Sequence, residues 1–239
     1  MNLVLLFSED FVEPSRVVLR GRRAEHVREV HRAAAGDELV VGVEGGKIGT
    51  GRLLRVGDKM EMDEIEMEVR LDRDPPPPLD LTLAIALPRP KVLNRVMAAV
   101  TSLGVKRIFL INAWRVEKSY WKSPRMSEEN LRMQAIIGLE QARDTVLPRI
   151  ETRRLFRPFV EDELPALIAG TTALVAHPYA TEEGPRAVSG PLTLAIGPEG
   201  GFIQKEIDSL TGIGFRAVTI GPRILRVETV ISALIGRMI

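Results

Sequence analysis

Three short stretches in the last third of the chain carry the residues best suited to chemistry: "AHP" (176–178), "GPEGG" (197–201) and "GPRILRVET" (221–229). Each follows a run of apolar residues that reads as a strand, so each lies where a strand gives way to a loop. In open α/β sheets ligands bind outside the carboxyl ends of the strands. Three such loops side by side would make one pocket. Singly, each has an ordinary explanation. His177 before Pro178 suits a turn, "GPEGG" suits a plain strand-to-helix connection, Arg223 and Arg226 suit a surface, and Glu228 is favoured at the start of a helix anyway. Their clustering is what points to a site.

The residue types narrow the ligand. The glycines of "GPEGG" let a ligand approach bare backbone, and a loop leading into a helix commonly receives phosphate. Glu199 in the middle of that loop would repel phosphate and suits a ligand with a cationic end. Neither GxGxxG nor GxxxxGK[ST] occurs, which speaks against dinucleotides and P-loop nucleotides. With no cysteine, disulfides, zinc–thiolate sites and thiol nucleophiles are excluded. The three histidines, His26, His31 and His177, have no metal-ligand spacing, so no metal is expected.

These loops need a scaffold, and the pattern of the chain supplies one. The four prolines of "DRDPPPPLD" (72–80) cannot continue a helix or a central strand, and they mark a boundary between expected domains 1–74 and 75–239. Beyond it, strands such as "LTLAIAL" (81–87), "ALVAHP" (173–178) and "LTLAIG" (192–197) alternate with helices. The helix read in "KVLNRVMAAVTSLG" ends at Gly104, and the one in "SEENLRMQAIIGLEQA" is capped by Ser127. Strands this apolar imply burial on both faces, hence an α/β fold with a parallel sheet. Before the boundary, short strands and one helix suggest a small β-barrel.

Charge adds a second clue. The 33 basic and 32 acidic side chains nearly cancel, but "RVVLRGRRAEHVREVHR" (16–32) is rich in arginine and "EMDEIEME" (61–68) is acidic. A basic face of this kind is compatible with RNA contact, and a solvated arginine-rich helix explains it equally well. The first residues, "MNLVLLFSEDF", do not read as a signal peptide, and no window approaches the roughly 20 apolar residues of a membrane helix, so a cytoplasmic protein is expected.

At the three loops the chain resembles a known family. "AIGPEGGF" followed closely by "IGPRILRVET" resembles the SPOUT-class 16S rRNA uridine-N3 methyltransferases, the RsmE family. "SLGVKRIFLINAWR", "EQA…LP" and "AHP" occur in the family's order, and the match covers nearly the whole chain. The resemblance implies a carboxyl-terminal SPOUT domain with a trefoil knot, an amino-terminal PUA-like RNA-binding barrel, and a homodimer acting on 16S rRNA in the 30S subunit. It also implies S-adenosylmethionine bound by Ala176, His177, Pro178, Ile196, Gly197, Pro198, Gly200, Gly201, Ile220, Gly221, Ile224, Leu225 and Arg226. The chain departs from the family at Val30-His31-Arg32, at Asp144, and at Val227, where a threonine is usual.

On this reading Arg226 stabilises the developing anionic uracil oxygen, and Glu228 or Glu199 removes the proton or orients the base. Arg16, Arg20, Arg22, Arg23 and Arg32 are the candidate phosphate contacts, and Tyr120 and Trp121 either stack on a base or pack at a dimer interface. The alternatives are a SPOUT enzyme with another target, such as a ribose 2′-hydroxyl, and a non-catalytic RNA-binding assembly factor.

Overall fold

Two units make up the chain in the computed structural model, which describes residues 2–57 and 64–239. Met1–Pro77 and Leu139–Leu147 form one; Pro78–Gly138 and Pro148–Ile239 form the other.

In the first unit, alternation builds a six-stranded sheet from β1 (Val4–Leu6), β2 (Phe11–Glu13), β3 (Arg16–Arg20), β4 (Glu38–Val43), β5 (Ile48–Val56) and β6 (Glu64–Arg73). The spatial order is β1-β4-β5-β6-β3-β2, with β1 and β4 parallel and the other pairs antiparallel. Val17, Leu19, Ile65, Met67 and Val69 face the core while the charged residues between them face away. Irregular register in β5 at Ile48/Gly49 and Leu53/Arg55 bends the sheet. The sheet is open, with β1 and β2 as its edges, and helix α1 (Gly21–His26) contributes Ala24 to the core.

The arginine-rich segment is therefore helical only from Gly21, through α1 and a π-helical turn over Val27–His31. Its first five residues are β3, and α1 starts at Gly21, whose φ of +58° suits a residue without a side chain. The acidic run explains the basic one. Across the β3–β6 ladder Arg20 pairs with Glu64 at 2.7 Å and Arg16 with Glu66 at 2.5 Å, so opposite charges meet strand to strand. Residues 61–63 of the acidic run lie outside the described residues.

In the second unit six strands are all parallel: β7 (Leu79–Ala86), β8 (Val105–Ile111), β9 (Arg149–Arg153), β10 (Thr172–Ala176), β11 (Leu192–Ile196) and β12 (Arg216–Val218). Their order is β12-β10-β11-β7-β8-β9. Every residue of β11 is buried, as suits a nearly apolar run, and its one polar side chain, Thr193, shares a 3.0 Å hydrogen bond with the Thr171 hydroxyl. Helix α2 (Pro90–Ser102) buries Leu93, Val96, Met97 and Val100, a helical stripe. It begins with Pro90 at its first turn, and Gly104 at φ +87° follows its end. Helix α3 (Glu128–Ala142) is capped by Ser127, whose Oγ accepts the Asn130 amide at 3.2 Å.

The short helices α4 (Phe156–Pro158) and α5 (Leu164–Ile168) follow β9, joined by a π-helical turn over Phe159–Glu163. Helix α6 (Gln204–Gly212) leads to β12. Helix α7 (Val227–Met238) then packs against α2 with Val227, Ile231, Leu234, Ile235 and Met238 buried. The end of α7 runs beneath the segment after β10. Val188 N–H donates to Met238 O at 2.7 Å, Ala187 N–H to Arg237 O at 3.1 Å, and Arg237 Nε to Gly184 O at 2.8 Å.

Candidate functional site

β12, β10, β11 and β7 are neighbours in the parallel sheet, so the loops at their carboxyl ends must converge. They enclose a cavity of about 680 Å³, within the range of roughly 300–1,000 Å³ typical of small-molecule sites. Of the residues the sequence points to in and beside the three stretches, Ala176, His177, Pro178, Ile196, Gly197, Pro198, Glu199, Gly200, Gly201, Ile220, Arg223, Ile224, Leu225, Arg226 and Glu228 all line it. Gly221 does not; at φ +138° it bends the loop that presents the others.

The glycine loop is a backbone wall. A Cβ on Gly197 would stand 2.7 Å from the Phe202 nitrogen and 3.1 Å from the Gly201 carbonyl carbon, so the two limbs of the loop close only because Gly197 has no side chain. Gly201 sits at φ +71°, and its N–H donates to Pro198 O at 2.7 Å, completing the turn. Arg115, from the segment after β8, donates to the Gly200 carbonyl. The Glu199 carboxylate accepts the Arg89 backbone N–H at 2.9 Å, tying this loop to the one after β7.

Glu206, one helical turn beyond the loop, was not among the residues the sequence suggested. Its side chain is buried, with one oxygen accepting Trp114 N–H at 2.7 Å and the other Ile203 N–H at 2.9 Å. It fastens the start of α6 to the segment after β8, and that segment in turn holds Gly200 through Arg115. Its signal was present: a glutamate three residues after Ile203, the position from which a carboxylate reaches back to a helix start.

At the mouth, Arg226 is exposed where α7 begins, and its carbonyl accepts the N–H groups of Thr229 and Val230 at 3.0 and 2.8 Å. Glu228 stands 3.3 Å from Arg95 of α2. His177 donates its backbone N–H to Val218 O at 2.9 Å and meets Tyr179 edge-on. Burial pushes the His177 pKa below the ordinary histidine value, so the ring is neutral near pH 7.

Elsewhere the sequence candidates fare unequally. Trp121 does not present a stacking face to solvent. It is 9% exposed, its indole N–H donates to Asn112 Oδ1 at 3.0 Å, and Arg154 lies over its ring. Arg23 reaches inward to the buried Asp10 and to Leu5 O, and Arg22 makes two 3.0 Å bonds to the buried Glu140. Arg32 is exposed. Among the described residues no cluster of His, Asp or Glu is placed to hold a metal, and no helix is long and apolar enough to cross a membrane.

The apolar floor of Ile196, Val218, Ile220 and Leu234 and the bare backbone wall suit an organic ligand, while the arginines at the mouth suit an anionic second reactant. An RNA methyltransferase domain family matches residues 75–239. Ribosomal RNA small subunit methyltransferase E of Treponema pallidum (strain Nichols) is 32% identical over 246 residues, covering 98% of this chain and 88% of the relative. Ribosomal RNA small subunit methyltransferase E 1 of Borreliella burgdorferi is 24% identical over 96% of this chain and 93% of its own length. The fold is shared with a ribosomal RNA small subunit methyltransferase E from Neisseria gonorrhoeae, solved bound to S-adenosylmethionine. Its TM-score is 0.74 at 23% identity, over 98% of this chain and 95% of that one.

Proposed function

The chain belongs to the ribosomal RNA small subunit methyltransferase E family, and from that premise we propose that it methylates N3 of a uridine in 16S rRNA, with S-adenosylmethionine as methyl donor. The observation that carries this reading is the convergence of the loops after β10, β11 and β12 on one cavity, with Arg226 and Glu228 at its mouth.

The residues fit the donor. Gly197, Gly200 and Gly201 leave the cavity wall free of side chains, Ile196 and Ile220 offer apolar surface, and the Glu199 and Glu228 carboxylates complement a cationic ligand. S-adenosylmethionine supplies an electrophilic methyl group on a sulfonium. The protein's own part is to hold the attacking nitrogen in line and to manage one proton and one charge. N3 of uridine loses its proton before or during attack, and Glu228 and Glu199 are the cavity carboxylates available to receive it. The negative charge left on the uracil ring spreads to its oxygens, where Arg226, which makes no ion pair among the described residues, stabilises it. A nitrogen acceptor also suits a chain without cysteine, since methylation at uridine carbon-5 generally needs an enzyme thiol that adds to the ring.

The same reading extends to the rest of the molecule. The first unit is a PUA-like RNA-binding module whose exposed Arg32 contacts phosphate. The hydrogen bonds of 184–188 across the end of α7 support a threaded, trefoil-knotted carboxyl terminus. The enzyme works as a homodimer in the cytoplasm on the 30S subunit; Met133 and Ile137, exposed and a turn apart on α3, are apolar surface for a second copy. Calorimetry with S-adenosylmethionine, followed by transfer of its labelled methyl group to 30S particles lacking the modification, tests the proposal. Binding and transfer are expected, and a chain that binds no donor contradicts it.

A further inference from the structure

The arginines of this protein fall into two sets. Those of the first unit largely face carboxylates: Arg16 with Glu66, Arg20 with Glu64, Arg22 with Glu140 and Arg23 with Asp10. Those of the cavity do not. Arg89, Arg95, Arg115, Arg223 and Arg226 line it against only Glu199 and Glu228, an excess of three positive charges. Among the described residues only Arg95 of these five pairs with a carboxylate, and Glu199 is turned to a backbone N–H. The methyl donor, with a sulfonium and an ammonium against one carboxylate, is itself cationic and does not account for this excess. An anion does.

A second observation specifies which kind of anion. Tyr179, on the same cavity wall, is 77% exposed although it is a large aromatic residue. An open aromatic residue beside guanidiniums without carboxylate partners is the kind of surface on which single-stranded nucleic acid binds, with bases stacked and phosphates held. The proposed reaction makes the same demand. N3 carries the hydrogen that uridine donates in a Watson–Crick pair, so the atom is reachable only in an unpaired or extruded base.

We propose that Arg89 and Arg223 hold phosphates of the single-stranded RNA segment that carries the target base, with Tyr179 stacking on one of its bases. This rests on the RNA-methylating function proposed above and adds residues to it. The substrate is gripped by the second unit itself, at the cavity mouth, in addition to any contact made by the first unit.

The test measures binding of the full chain, without methyl donor, to a fluorescent single-stranded uridine-containing RNA over a range of salt concentrations. Each phosphate contact contributes about 0.7 to the slope of log K against log salt for a single strand. Arg89→Ala and Arg223→Ala are each expected to lower the slope by about that amount, while Lys205→Ala, an exposed lysine of α6 outside the cavity, leaves it unchanged. Tyr179→Ala is expected to weaken binding about 5- to 150-fold at every salt concentration, and Tyr179→Phe to bind as wild type. Unchanged slopes in both arginine variants, with thermal melting showing them folded, overturn the proposal. Lowered slopes in a protein that transfers no methyl group would keep the RNA contact and overturn the N3 reaction instead.

Discussion

Gly197→Ala puts the backbone wall of the cavity to its sharpest test. The added methyl carbon would stand 2.7 Å from Phe202 N, 3.1 Å from Gly201 C and 3.2 Å from Gly201 Cα. Unstrained contacts to carbon begin near 3.4–3.5 Å, so the limbs of the loop must part by roughly 0.7 Å. All three obstructing atoms are backbone, and no rotamer change relieves them. Overpacking of this kind costs about 1–3 kcal/mol. Where the strain falls on the cofactor wall, that corresponds to about 5- to 150-fold weaker binding of S-adenosylmethionine.

Neighbouring glycines supply the controls. A Cβ on Gly200 would meet Arg115 Cδ at 2.8 Å, but that long side chain can turn aside at the cost of its bond to the Gly200 carbonyl, so Gly200→Ala should change affinity only a few-fold. At Gly201 nothing stands within 4 Å; the obstacle is its φ of +71°, costing about 1–2 kcal/mol of stability in an alanine. Calorimetry with S-adenosylmethionine, paired with thermal melting, separates affinity from stability. Wild-type affinity in Gly197→Ala, or a larger loss in Gly200→Ala than in Gly197→Ala, would refute the reasoning.

Three further outcomes follow from the site. Arg226→Ala should lower kcat for methyl transfer about 100- to 1,000-fold, the scale of losing one oxyanion donor, with donor affinity within a few-fold of wild type; single-turnover assays with retained activity would remove Arg226 from the mechanism. Glu206→Gln places an amide NH₂ against one of the two N–H groups its carboxylate now receives, so urea denaturation should show a loss of about 1–3 kcal/mol, together with a raised KM for the donor. A KM equal to wild type would make Glu206 structural only. His177 has a folded-state pKa below its unfolded value near 6.5, so the unfolded chain binds the extra proton first and stability falls as pH drops below about 6.5, with no contribution above. His177→Gln should reduce the loss of the urea midpoint between about pH 7.5 and 5.5, and an unaltered loss would assign the acid sensitivity elsewhere.

What could be read in the sequence and what could not follow from the range of the interactions. β10 and β11 are legible because burial on both faces leaves them almost wholly apolar, with one threonine each, and the three Gly/Pro loops are legible because they directly follow such strands. Arg89 and Arg115 were not read as site residues. They follow β7 and β8, and only the order β12-β10-β11-β7-β8-β9 brings β7 beside β11, a non-local fact. The same limit hid the role of Arg16 and Arg20. Three apolar residues between Arg16 and Arg20 fit a strand, but the carboxylates that face these arginines lie some fifty residues away on β6. Trp121 looked available beside two lysines, yet Asn112 and Arg154 enclose it, and neither is a sequence neighbour.

The central claim is that a nitrogen on the pairing edge of a uridine receives the methyl group. It is tested most directly by incubating the protein with labelled S-adenosylmethionine and 30S particles from an unmodified strain, digesting the 16S rRNA to nucleosides, and identifying the labelled product by mass spectrometry. The account predicts a single labelled species, 3-methyluridine. Label on uridine carbon-5 or on a ribose 2′-hydroxyl would contradict it.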